Sequence, residues 1–220
     1  MHRYDTKRRT LALGIAGLAG FVDATGFLAA NSYFVSFMSG NTTRLGVDLA
    51  TQGIQALIPA LLIVGFVIGV TLGALIADRF EARRKSAVLG FSSLLLLAAA
   101  IVYSSGSQNG YIASSVLAMG ALNNTFRRDK EVAIGVTYMT GALVRFGQGI
   151  ASLLAGERRP GWALNLLLWA SLFLGAVVGA VMAIQLQHLS AWVAAGIALC
   201  LLVAATLIER IDSSAPSQSI

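Results

Sequence analysis

Charge is what this 220-residue chain has least of: Asp, Glu, Lys and Arg make up only 12% of it. An average soluble domain carries about 25%, so an ordinary water-facing surface is excluded. A single cysteine, Cys200, rules out an intrachain disulfide framework or a cysteine-based metal site. The two histidines, His2 and His188, lie far apart, so no histidine-rich metal constellation is expected, and nothing in the chain asks for a cofactor. Long polar stretches are also missing. The longest are the first ten residues and the tail after Ile208, which leaves no room for a soluble domain. Ser/His/Asp and HExxH patterns are absent, and the sequence is read as a non-enzyme.

What is present is apolar. Hydrophobic residues reach 56% and mean hydropathy is +0.75. Runs approach the roughly 20 residues that cross a bilayer core as a helix. No barrel-type alternation accompanies them. The expected fold is all-α, a polytopic helical membrane bundle forming one membrane domain over residues 1–220. Apolar segments are read at 11–31, 54–77, 86–105, 111–126, 162–184 and 191–208, with two polar-interrupted segments at 35–51 and 133–155. The basic N-terminus followed by an apolar run imitates a secretory signal, but residues 11–30 exceed the usual 7–15-residue signal core, so a retained first helix is expected. The formal charge of +6 sits in short clusters between apolar segments with no interleaved aromatics, as in cytoplasmic loops, and nucleic acid is not expected as a partner.

The two interrupted segments resemble each other. FMSGNTTRLG at 37–46 recurs as YMTGALVRFG at 138–147, with Met38, Gly40, Arg44 and Gly46 repeated as Met139, Gly141, Arg145 and Gly147. Upstream, GFVDAT at 20–25 matches GALNNT at 120–125 in its glycine, its Asp23 or Asn123, and its threonine. Two patches in the same order at nearly equal spacing indicate an internal duplication, with repeat one over about 10–106 and repeat two over about 107–210. Glycines 65, 69 and 73 are likewise mirrored by Gly175, Gly179 and Ala183. Such ladders let helices approach closely, either joining the halves or building a homodimer.

Charge orders the topology. If all eight segments crossed, the loops at 78–85 and 127–131 would lie outside with seven Lys and Arg, against the positive-inside rule. If the two motif segments are re-entrant or broken, six helices cross and every basic loop becomes cytoplasmic. Both termini are then cytoplasmic. The first segment runs outward and its counterpart inward, so the halves form an inverted repeat, a recurring plan of secondary transporters.

Candidate site residues follow. Ser39, Gly40 and Asn41, and Thr140 and Gly141, read as starts of half-helices, whose exposed N–H groups favour an anion. Arg44 and Arg145 are costly inside apolar segments and default to function. Asp48 is the local partner expected for Arg44, and Asp23 is the cross-bundle partner expected for Arg145. Asp23 and Asn123 are candidate coupling or counter-charge positions. A purely structural use of these residues, as salt bridges and packing, stands beside that reading.

At Gly20-Phe21-Val22-Asp23, at FVSFMSGN over 34–41, and at Met119-Gly120, Asn123 and Thr140-Gly141, the chain resembles the YoaK-type family of bacterial membrane proteins, a domain of unknown function. The resemblance covers roughly residues 10–210. Leu122 stands where that family usually has a glutamine. It implies a cytoplasmic-membrane location and brings no substrate. The expected function is a small secondary transporter or permease that binds a small anion or organic acid between the repeats, with a proton as coupling ion. The alternative is a non-transporting structural or accessory membrane protein. An intramembrane enzyme acting on lipid ranks last.

Overall fold

The computed structural model describes residues 6–51, 53–128, 131–132, 137, 139–157 and 161–214. Its elements are α1 (Thr6–Ala29), α2 (Met38–Thr51), α3 (Leu57–Arg79), α4 (Arg84–Ser104), α5 (Gln108–Leu122), the two-residue strands β1 (Arg127–Arg128) and β2 (Glu131–Val132), α6 (Met139–Leu154), α7 (Ala163–Gln185) and α8 (Gln187–Ser214). A 3-10 turn at Gly53–Ala56 leads into α3, and another at Glu81–Arg83 joins α3 to α4. The helical membrane bundle read from the sequence is therefore the fold. Five described helical stretches are long and apolar enough to cross a membrane: Thr6–Ala29, Gly53–Arg79, Glu81–Ser104, Ala163–Gln185 and Gln187–Asp212.

The segment boundaries move for identifiable reasons. The segment expected at 111–126 ends as α5 at Leu122, because Asn123 and Asn124 turn their amides back onto the carbonyls of Met119 and Val70 at 3.0 Å each. The motif segments carry α2 from Met38 and, among the described residues, α6 from Met139. Conversely, α1 starts at Thr6 and α8 runs on to Ser214. Their charged ends meet there, with Arg8 on Asp212 at 2.7 Å.

Glycine sets the closest contacts. A Cβ on Gly175 would run into the Gly17 carbonyl, one on Gly179 would lie 2.5 Å from the Phe21 oxygen, and one on Gly20 would strike Leu172. Gly175 on Gly17 and Gly179 on Phe21 keep one offset, as does Ser171 on Leu13, so α1 and α7 run parallel, backbone against backbone, as small-residue faces allow. The pair α3 and α5 packs the same way. Gly69 faces Leu117, a Cβ on Gly73 would lie 2.7 Å from the Ala121 Cα, and Gly120 faces Phe66. The ladders thus pack helices within the chain. The expected register between them is off by one rung: Gly69 and Gly73 occupy the places of Gly175 and Gly179, and Gly65 stands where the other ladder has Ser171. The sequence alignment of glycines missed this because Ser171 is itself a small rung residue.

α4 runs antiparallel to both α5 and α8. Its ring pair Tyr103–Tyr111 stacks at 4.4 Å, and Trp192 donates to Ser104 at 3.0 Å. The start of α1, the α3–α4 turn, the end of α5 and the end of α8 share one end of the bundle. Arg127 meets Asp78 there at 2.9 Å, and Arg84 donates to the Arg127 carbonyl at 2.8 Å.

Candidate functional site

The first motif is built on a reversal after α1. Asn31 and Ser32 take left-handed backbone, with φ of 49° and 68°, a conformation that asparagine tolerates better than most residues. The chain turns back along α1, and Asp23 receives it. Its Oδ1 accepts from the amides of Val35 at 2.9 Å and Ser36 at 2.8 Å. Val35 is fully buried and Ser36 nearly so, which makes these N–H groups expensive to leave unpaired.

Asn41 completes the bend. It is fully buried and pairs with both backbone groups of Phe34, accepting from its N–H at 2.9 Å and donating to its carbonyl at 2.6 Å. Gly40 is needed because a Cβ would press into the rings of Phe37 and Phe34, at 2.6 and 2.9 Å. Ser39 is exposed in the first turn of α2 rather than at its cap. One turn on, Tyr33 donates its hydroxyl to the buried Asp48 at 2.7 Å, and the Arg44 guanidinium lies over the Tyr33 ring, 5.1 Å from its centroid. The expected Arg44–Asp48 ion pair is not formed. Tyr33 stands between them, its hydroxyl serving the carboxylate and its face serving the cation.

The second motif repeats part of this device. Thr137 donates to Asn123 Oδ1 at 3.1 Å, so Asp23, within α1, and Asn123, just past α5, each hold backbone or side-chain groups that precede the motif helix of their half. Thr140, Gly141 and Arg145 are exposed on α6. Arg145 has no ion pair among the described residues. The expected Asp23–Arg145 pair does not form, since the Asp23 carboxylate faces the 35–36 bend. α6 is held to α7 by Trp162, which covers Gly149 and packs on Phe146 with ring centroids 5.4 Å apart.

The two motifs lie at opposite ends of the bundle. α1 and α5 run antiparallel, registered by Tyr111 on Thr25 at 2.8 Å and by Gln108 on the Ala29 carbonyl. Asn123 is twelve residues past Tyr111 and so is level with residue 13 of α1. That puts it ten residues, about 15 Å along the axis, from Asp23. Ser39, Gly40, Asn41 and Arg44 therefore form one cluster, and Thr140, Gly141 and Arg145 another.

One charged anchor escaped the sequence reading. Glu209, near the end of α8, is 8% exposed and accepts from the amides of Lys85 at 2.8 Å and Ser86 at 3.3 Å, with the Ser86 hydroxyl on the same carboxylate. It caps the start of α4 from another helix. Its only signal was an acidic residue closing an apolar run. No group of three metal-ligating side chains occurs among the described residues.

The Gly20–Asp23 patch and the FVSFMSGN bend are the features that carried the family resemblance, and residues 11–204 match the family described as Protein of unknown function (DUF1275). The chain belongs to this family. A UPF0700 transmembrane protein of Rhizobium meliloti (strain 1021) is 38% identical over 211 residues, covering 93% of this chain and 91% of that relative. No solved structure matches the chain. This member of the family is a transmembrane protein.

Proposed function

We propose that this family member is a small secondary transporter or permease of the bacterial inner membrane, built as an inverted repeat and moving a small anion or organic acid. One observation carries the reading: α2 lies between α1 and an oppositely directed α3, α6 lies between α5 and an oppositely directed α7, and α1 and α5 are themselves antiparallel. Each motif helix thus leaves and returns at one end, and the two occupy opposite ends. Exchanging α1–α4 for α5–α8 maps the packed pair α1–α7 onto α5–α3, α1–α8 onto α5–α4, and α2–α3 onto α6–α7. That supports two halves of opposite sense, six crossings, and both termini on the basic, cytoplasmic side.

The 15 Å offset alters how such a protein would use its arginines. Arg44 and Arg145 would meet an anion in turn, one near each membrane face, instead of closing on it together. Asp23 is retained as the proposed proton site, and no enzymatic step is proposed. The test is a thermal-shift screen of purified protein against small anions, carboxylates, amines and sugars, followed by uptake into proteoliposomes. Stabilisation by one anion class that is lost in Arg44→Ala and Arg145→Ala, with uptake of that class, supports transport. Normally folded variants that move every solute like the wild type would sink it.

A second reading has its own support. Asp23 and Asn41 are spent on backbone groups, as a structural or accessory membrane protein would use them. It predicts no solute-dependent shift and strong destabilisation in Asp23→Ala and Asn41→Ala.

A further inference from the structure

The α3–α5 pair separates toward the outer end. At Gly69 and Gly73 a Cβ would strike the α5 backbone, but at Gly65 it would meet only the Val116 side chain at 3.3 Å. The equivalent rung on the other side is closed. There Ser171 fills the place of Gly65 and donates to the Leu13 carbonyl at 2.7 Å. The opening left at Gly65 is a cleft of about 650 Å³ between the end of α1, α3 and α5, within the 300–1,000 Å³ typical of small-molecule sites. Its walls include Leu61, Ile68, Ile112 and Ala113, and its outer end carries Asn31, Gln108 and Asn109. No ionisable side chain lines it.

We infer that this cleft is a site for an uncharged single-chain amphiphile, its alkyl chain lying along Gly65 and Ala113 and its polar head held by Asn31 and Asn109. Three observations fix the class. The lining from Ile58 to Ile68 rises about 15 Å, the depth of one leaflet of a bilayer core about 30 Å thick. An anionic or cationic head would lie against amides with no counter-charge. The amides stand only at the outer end, so the chain points toward the membrane centre. The site is separate from Arg44 and Arg145 and does not depend on the transport reading.

The experiment uses the full chain in nanodiscs, photolabelled with a monoacylglycerol that carries a diazirine on its chain, with adducts mapped by mass spectrometry. Labelling is expected on α3 and α5 at Leu61, Ile68 or Ala113, at least tenfold above the lipid-exposed α7 residues Leu174 and Val178. Unlabelled monoacylglycerol should compete, whereas a fatty-acid carboxylate and phosphatidylglycerol should not. Gly65→Ser, which copies the closed rung, and Ala113→Phe, which fills the cleft from α5, should each reduce labelling at least fivefold. Equal labelling of α7, equal competition by the charged amphiphiles, or full labelling in both folded variants would overturn the assignment. If neither variant folds, the wild-type labelling and competition results decide alone.

Discussion

Replacing Asp23 separates its two proposed duties. As a clamp, it offers one oxygen to two buried amides, at 2.9 and 2.8 Å. Asp23→Asn keeps an acceptor there, as the counterpart Asn123 does, and exchanges two charge-assisted bonds for neutral ones. That costs about 1 kcal/mol per bond, or about 2 kcal/mol in all. Asp23→Ala leaves both amides unpaired at about 1–3 kcal/mol each, for a total of about 2–6 kcal/mol. The assay is equilibrium unfolding in detergent, combined with hydrogen exchange over residues 33–38. Exchange there should rise at least tenfold in Asp23→Ala and much less in Asp23→Asn. Uptake then reports on the proton: a stable Asp23→Asn that has lost pH-dependent uptake supports coupling. An Asp23→Ala within about 0.5 kcal/mol of wild type, the ordinary range for surface changes, with unchanged exchange, refutes the clamp.

Gly20→Ala should destabilise by about 1–3 kcal/mol in the same unfolding assay, the overpacking range, because its Cβ meets the α7 backbone. Gly46→Ala should stabilise by about 0.5–1 kcal/mol, since a mid-helix glycine with open space loses only entropy relative to alanine. Glu209→Ala should cost about 2–4 kcal/mol by leaving the Lys85 and Ser86 amides uncapped, with faster exchange at the start of α4. Glu209→Gln should recover most of that.

Much of this fold was readable because apolar length and charge dictate it. Long runs with few charges can only be membrane helices, and basic clusters at 79–85, 127 and 210 foretold which helix ends meet. The duplicated motif placed helix starts at Ser39–Asn41 and Thr140–Gly141, close to where α2 and α6 begin at Met38 and Met139. What escaped depended on partners remote in sequence. Nothing in the local pattern says that Asn31 and Ser32 will turn left-handed and carry the Val35 and Ser36 amides to Asp23. Spacing alone favoured Arg44 with Asp48, because an i+4 rule cannot see a tyrosine fifteen residues before the carboxylate. Asn41 read as a helix cap and is instead a backbone mimic for Phe34. The glycine ladders were legible as packing, but their register was not, since Ser171 performs the task of a glycine while also closing the rung.

The repeated glycines weigh between the two functional readings. Packing accounts for Gly40, which lies under the Phe34 and Phe37 rings. It does not account for Gly46, Gly141 or Gly147, where an added Cβ would meet nothing described within 4 Å beyond the backbone of its own helix. Each sits in a helix with ordinary helical backbone, where alanine would be favoured by about 0.5–1 kcal/mol. A motif serving only to hold a bend would need the Gly40–Asn41 pair and no more. Yet the duplication repeats Gly46 as Gly147, each two residues after an arginine, on a face left open. Open glycines beside a cation let a partner approach the helix backbone closely. If Gly46→Ala and Gly147→Ala raise stability and lower uptake together, the open face is what the protein uses. If they raise stability and leave every solute response intact, the structural reading gains the motif as well as Asp23.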